Sequence, residues 1–232
     1  MYFQHAEDVW SEYPELVAAA ITTSGITPTA DVDARVAQFV GAAKARLADG
    51  TESDLPEIKA WRQTFTKMGL KPTQYRCASE ALLRRLRKEG DLPRIHPLID
   101  LCNAVSVAYA IPVGVFDLDE VAGFLEVRHA AGDEDYLTFA GTSENPEPRE
   151  LIFADAEGRA HARRWTNRQS GRSAVRESTS RVLIVSEAMH ASAAEDVASL
   201  MKTLADAVAE AWQVNTDSTI LTSVERRFTI SA

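Results

Sequence analysis

The feature that most constrains this fold is a change in hydrophobic period partway along the chain. Up to about residue 110 the apolar residues recur at helical spacing. Val32, Val36, Phe39, Val40, Ala43 and Leu47 make one 3.6-residue stripe behind Asp31, which Gly50 closes. Residues 56–65 predict a second helix and residues 72–86 a third, with Ala78, Ala81, Leu82 and Leu86 on one face. His96-Pro97 opens a fourth through Tyr109, with proline near the first helical position, where a missing N–H costs nothing. Beyond Pro112 the apolar runs are short and glycines separate them. Residues 113–116, 124–129, 136–139, 151–153, 160–165 and 181–185 predict strands, and residues 192–212 a long amphipathic helix. Helices first and strands afterwards, without β-α alternation, predict an α+β fold: a mixed or antiparallel sheet flanked by helices. The expected organisation is an N-terminal helical extension over residues 1–70, packed on a main domain over 71–232 that includes the C-terminal helix.

The chain has 232 residues, 45% of them hydrophobic, which is enough to bury a core. No run approaches the roughly 18 uninterrupted apolar residues of a membrane helix. The first eight residues lack the basic start and apolar run of a signal peptide. There are two cysteines, Cys77 and Cys102, and no Cys-x-x-Cys pair. These features predict a cytoplasmic protein with two core thiols, no disulfide framework, no metal, no cofactor and no membrane partner.

The net charge of −9 argues against indiscriminate binding to nucleic acid. Its distribution argues differently. Seven arginines lie from Arg159 to Arg181, opposed only by Glu177. Arg168, Arg172 and Arg176 are the candidate phosphate contacts among them. The alternative is a set of solvated or ion-paired faces.

No Walker loop, dinucleotide fingerprint, zinc-protease helix or nucleophile elbow is present. The five histidines are scattered, and His96, just ahead of a helix, reads as a cap or surface residue. Two segments are dense in polar groups, Lys71-Pro-Thr-Gln-Tyr-Arg76 and Arg163-Arg-Trp-Thr-Asn-Arg-Gln169. In the second, Trp165 offers a stacking surface, and Asn167 and Gln169 each donate and accept. The other reading is a tryptophan packed in the core, with its arginines reaching outward.

Residues 94–105 resemble a known family. Pro97, Asp100, Asn103 and Val105 match the Pro-x-x-Asp-x-x-Asn-x-Val of the B3 stretch in the B3/B4 region of the bacterial phenylalanyl-tRNA synthetase β subunit. Pro112 and the strand ending Phe116-Asp117 follow at the family's spacing, residues 123–128 resemble its next strand, and Ser186-Glu187-Ala188 resembles the close of B4 more loosely. The resemblance covers about residues 70 to 190. It implies a single α+β domain of the B3/B4 type, a free-standing relative of a region that hydrolyses tyrosine wrongly attached to the phenylalanine tRNA without a metal. Two positions depart from the pattern. Gly114 stands where the family commonly has histidine, and residues 164–169 stand in place of a glycine-rich turn. Asn103 and Asp117 carry over by position.

Two functions follow as expectations. The first is a trans-acting hydrolase of mischarged aminoacyl-tRNA, with a bound water attacking the ester. Thr73, Asn103, Asp117, Arg164, Asn167 and Gln169 would line the substrate site, and Glu187 is the candidate water-positioning carboxylate. The second is a non-catalytic module that binds tRNA or an amino-acid-like ligand, which the loss of histidine at Gly114 favours.

Overall fold

The computed structural model describes residues 1–231. In chain order its elements are β1 (Tyr2–His5), α1 (Glu7–Glu12), β2 (Val17–Ser24), α2 (Asp33–Arg46), α3 (Pro56–Lys67), α4 (Ala78–Glu89), α5 (Pro97–Tyr109), β3 (Val113–Asp117), β4 (Phe124–His129), β5 (Tyr136–Leu137), β6 (Ser143–Glu144), β7 (Leu151–Asp155), β8 (Ala160–Arg163), β9 (Arg168–Gln169), β10 (Arg181–Ala188), α6 (Ala193–Trp212), β11 (Thr216–Leu221) and β12 (Arg227–Thr229). The fold is α+β.

Two sheets dominate. One has the order β12-β1-β4-β7-β8-β9, and the other β11-β2-β10-β3. The first is mixed, because β1 runs parallel to β4 while its other pairs are antiparallel. The second is antiparallel throughout. Its central strand β10 is buried almost end to end, as a strand covered on both faces must be. On one side lie α5 and α6. Val197, Leu200, Leu204 and Val208 of α6 are fully buried, and each such side chain stabilises the fold by about 1.5–3 kcal/mol. On the other side lies the first sheet, with Phe116 of β3 stacked on Phe153 of β7 at 5.1 Å between centroids.

The helix after Pro97 forms as its sequence predicts. His96 is the N-cap, its Nδ1 accepting from the Leu98 amide at 3.2 Å. Asp100 turns back to accept from the Ile95 amide at 2.8 Å, and Val105 is in the core. The B3-like residues Pro97, Asp100 and Val105 therefore build α5. Ala110 closes the helix in the left-handed region, and Pro112 leads into β3.

The first seventy residues differ from the helical extension expected of them. They hold α2 and α3, but also β1 and β2, and both strands lie inside the two main sheets. The alanine-rich run 17–20 has helix propensity, yet β2 pairs along its full length with β10, Val17 opposite Ala188, so tertiary pairing overrides propensity. The third helix starts at Ala78 rather than at residue 72. Residues 71–75 form a turn instead, with the Gln74 and Tyr75 amides both donating to Lys71 O at 2.9 Å.

Candidate functional site

Facing strands of the two sheets leave a cavity of about 80 Å³ between them. From the second sheet come Gly114 and Phe116 of β3 and Val185 and Glu187 of β10. Each pair is two residues apart, so each pair points to the same face. From the first sheet come Phe153 and Ala162, and the segment 165–169 forms the rim, with Ala78 at the start of α4.

The turn between β8 and β9 shapes this rim. Arg164 and Trp165 both sit in the left-handed region, at φ 48° and 56°, a conformation that costs a non-glycine residue about 1–3 kcal/mol. Several bonds hold it. Trp165 N donates to Leu151 O at 2.7 Å, and Arg164 N donates to Glu150 Oε1 at 3.1 Å. Glu150 also receives two bonds at 2.9 Å from the Arg163 fork. Burial pushes the Glu150 carboxyl up, but Arg163 and Arg164 outweigh it and hold the pKa below its ordinary value.

The turn sends Trp165 inward and Arg164 away. Trp165 is fully buried, edge-on to Trp61 at 5.3 Å and to Tyr13 at 5.0 Å. It is thus a core tryptophan with a polar task, and it offers no free face for a base. Its Nε1 donates to Glu187 Oε1 at 2.8 Å. His5 Nε2, from β1, meets the same oxygen at 2.5 Å. Both of these bonds fall on Oε1, so Oε2 of this cavity-lining carboxylate has no hydrogen-bond partner among the described residues and is the oxygen left to the cavity.

The two rim amides are oriented by backbone carbonyls. Asn167 Nδ2 donates to Arg76 O at 2.7 Å, and Gln169 Nε2 donates to Val115 O at 2.5 Å. With the NH₂ groups so fixed, Asn167 Oδ1 and Gln169 Oε1 remain without partners in the protein. Thr166 Oγ1, also on the wall, is buried and unpartnered. Arg168 also lines the wall, but its guanidinium is held by Glu144, so the side-chain groups of this rim left without partners are the acceptors Asn167 Oδ1 and Gln169 Oε1 and the Thr166 hydroxyl.

Asn167, Gln169 and Glu187 therefore meet at one cavity, and the other expected site residues do not join them. Arg164 lines a neighbouring cleft with Glu12, His129 and Glu150, its guanidinium 4.9 Å from the Tyr75 ring centre. Asp117 caps the short helical turn Leu118–Glu120 and accepts from Thr179 Oγ1 at 2.5 Å. Thr73 lies exposed in the turn before α4, where its carbonyl accepts from Arg76. Asn103, on α5, lines neither the cavity nor the cleft.

The arginine-rich stretch is largely ion-paired. Arg163 and Arg168 hold Glu144, Arg172 holds Asp135, Arg159 holds Glu157, and Arg181 holds Asp119. Arg176 donates instead to the Gly171 and Arg172 carbonyls.

Sequence reasoning missed His5, which lies outside the cavity lining and holds Glu187 from behind it. It also missed a buried Asp155–His161–Ser173 chain, with contacts of 3.2 and 2.8 Å. That chain has the composition of a hydrolytic triad, but it is sealed in the core, away from the cavity lining. Asp155 also accepts from the amides of Ala122, Glu157 and Arg159, so the chain ties down the β7–β8 turn. Both cysteines are buried free thiols, and burial pushes Cys77 up to about 12.

Fold and site together define an α+β domain with a small cavity between two sheets. The chain belongs to the B3/4 domain family, whose model matches residues 60–219. Among curated proteins it is similar to phenylalanine–tRNA ligase β subunits. The identity is 28% over 86 residues to that of Photorhabdus laumondii subsp. laumondii, covering 37% of this chain and 11% of the subunit. It is 35% over 74 residues to that of Coxiella burnetii, covering 32% and 9%. It is 37% over 79 residues to that of Bradyrhizobium diazoefficiens, covering 34% and 10%. The matched stretches thus span about a tenth of the length of these relatives. An N-terminal fragment of the phenylalanyl-tRNA synthetase β-subunit from Pyrococcus horikoshii aligns at a TM-score of 0.49 with 10% identity, covering 94% of this chain and 53% of that one. Strands β1 and β2 lie outside the residues matched by the family model, and β1 supplies His5. Among the described residues no helix is long and apolar enough to cross a membrane.

Proposed function

We propose that the chain takes the aminoacyl end of a charged tRNA into the cavity between its sheets and hydrolyses the ester of a wrongly attached amino acid. The observation that carries this reading is the Glu187 carboxylate, fixed through one oxygen by His5 and Trp165 and open to the cavity through the other. Kinship with tRNA ligase subunits supplies the substrate class. The wall chemistry matches the aminoacyl group. An α-ammonium brings N–H donors, and the wall offers three acceptors, Glu187 Oε2, Asn167 Oδ1 and Gln169 Oε1. The amino-acid side chain would lie against Phe116 and Phe153.

Hydrolysis adds a water to the ester carbonyl, and the C–O bond to the tRNA ribose breaks. The protein's part is to place that water and to meet charge as it develops on the carbonyl oxygen. Glu187 Oε2 would accept a hydrogen bond from the water, and Thr166 Oγ1 is an unpartnered donor on the same wall. The test is amino-acid release from a panel of mischarged tRNAs, with tRNA binding measured beside it.

A second reading is a module that binds the same aminoacyl end without chemistry. The scarcity of free donors on the wall favours it: the Arg168 guanidinium is held by Glu144, only the Thr166 hydroxyl is unpartnered, and hydrolysis profits from a pair of donors at the oxyanion. Tight binding without release would support this reading.

A further inference from the structure

Past the end of β10 the chain builds a second polar cluster. Glu57 comes from the first turn of α3, His190 from the turn after β10, and Asp196 from the first turn of α6. One donor atom from each lies within 4.8 Å of the other two. Glu57 is 6% exposed and His190 is 8% exposed. Some of their hydrogen-bonding capacity is used. Arg46 donates to Glu57 Oε1 at 2.6 Å, His190 Nε2 lies 2.8 Å from Asp196 Oδ2, and Ser192 donates to that same oxygen at 2.6 Å. Glu57 Oε2 and His190 Nδ1 are buried and have no partner at all. Ion pairing accounts for only half of each group, and buried polar atoms of this kind normally have partners.

We propose that Glu57, His190 and Asp196 form a binding site for one divalent transition-metal cation. The donor set, one imidazole and two carboxylates, suits zinc and its neighbours, whereas magnesium and calcium prefer oxygen alone. Two carboxylates against the single Arg46 guanidinium leave the cluster net negative when His190 is neutral, the form that binds metal. Bonds of about 2 Å place the ligands of one ion roughly 3–4 Å apart, so with donor atoms within 4.8 Å of one another the cluster takes a cation through small side-chain shifts, His190 and Asp196 parting from their 2.8 Å contact to admit it. The Asp196 side chain is 38% exposed, which gives the ion an entry path and leaves room for water as a further ligand.

The three ligands come from three elements, so only the folded chain presents the site. It also sits behind the cavity. Trp61, one turn on from Glu57, donates to the Glu187 carbonyl at 3.3 Å and packs edge-on against Trp165. A bound cation would tie α3 and α6 to the end of the strand that carries Glu187. The site stands on its own geometry and is independent of whether the cavity binds or hydrolyses an aminoacyl group.

The experiment titrates zinc into the chelator-stripped full chain by calorimetry and follows the melting temperature in parallel. The expected result is one zinc per chain with a Kd of about 10 μM or tighter, a higher melting temperature with zinc, and much weaker binding of magnesium. Asp196→Asn, at a partly exposed position, and His190→Gln should each weaken zinc binding by about tenfold or more. Circular dichroism checks that each variant is folded. No zinc uptake by the wild-type chain overturns the proposal. So does uptake at unchanged affinity in folded Asp196→Asn, or magnesium binding as tight as zinc.

Discussion

Trp165 donates its indole N–H to Glu187 Oε1 at 2.8 Å, while His5, 182 residues away in sequence from Glu187, holds the same oxygen at 2.5 Å. One oxygen of a buried carboxylate is thus shared by two donors, and the other is left to the cavity. Trp165→Phe keeps most of the ring packing and removes one donor. Urea unfolding should show a loss of about 1–3 kcal/mol, the cost of leaving a buried polar group short of a partner. The double variant with His5→Ala should be non-additive by more than about 0.5 kcal/mol, because both act on one oxygen. Strict additivity would mean that the two donors do not share Glu187 in solution.

The rim amides have structural partners as well as a face on the cavity. Asn167→Ala releases the Arg76 carbonyl, and Gln169→Ala releases the Val115 carbonyl. Each should lower stability by about 0.5–1.5 kcal/mol and also weaken ligand binding or deacylation. The reverse pattern, full activity with lost stability, would confine both amides to a structural role.

The arginine-rich stretch should behave as an ion-paired face. Replacing Arg172 and Arg176 together by glutamine removes the bond to Asp135 and the bonds to two carbonyls. The melting temperature should fall, and the salt dependence of tRNA binding should change little. A salt slope flatter by nearly two phosphate contacts would show that these arginines exchange their protein partners for the nucleic acid.

Asp155 sets an acid limit on stability. Burial pushes its carboxyl up, but the hydrogen bond from His161 and those from the Arg159 and Ala122 amides outweigh this and hold it down at about 2, against an ordinary 3.8. A depressed folded-state pKa means that the contribution is fully present above about 4 and is lost as pH falls toward about 2. Asp155→Asn should be less stable at neutral pH and should show a shallower stability decline across that window. An unchanged acid profile would remove Asp155 from the account.

Much of this fold is legible in the sequence, because α2, α3 and α6 each bury one face and α5 is buried nearly all round, and their apolar residues record it. The strands of the first seventy residues are harder to read. The alanines of β2 suit a helix, and what makes them a strand is pairing with β10 more than 150 residues later. At the site, the crowding of Asn167, Gln169 and Trp165 marks a place with unusual polar demands, and Glu187 follows from the pattern at the end of β10. Asn103 and Asp117 carry a family pattern, but a helix face and a capping bond place them away from the cavity. His5 leaves no local trace. A lone histidine in a four-residue strand becomes part of the site only when β1 pairs with β4 and carries it to Glu187.

The measurement closest to the central claim is single-turnover release of amino acid from mischarged tRNA by the wild-type chain and by Glu187→Gln, with tRNA binding followed in the same samples. The variant keeps the shape of the side chain and removes its charge. The expected result is release by the wild-type chain and a loss of about a hundredfold or more in the variant, which is ~2.7 kcal/mol of transition-state stabilisation, with tRNA binding kept within a few fold. Release at the wild-type rate by Glu187→Gln, or no release from any mischarged tRNA by a wild-type chain that binds them, would contradict it.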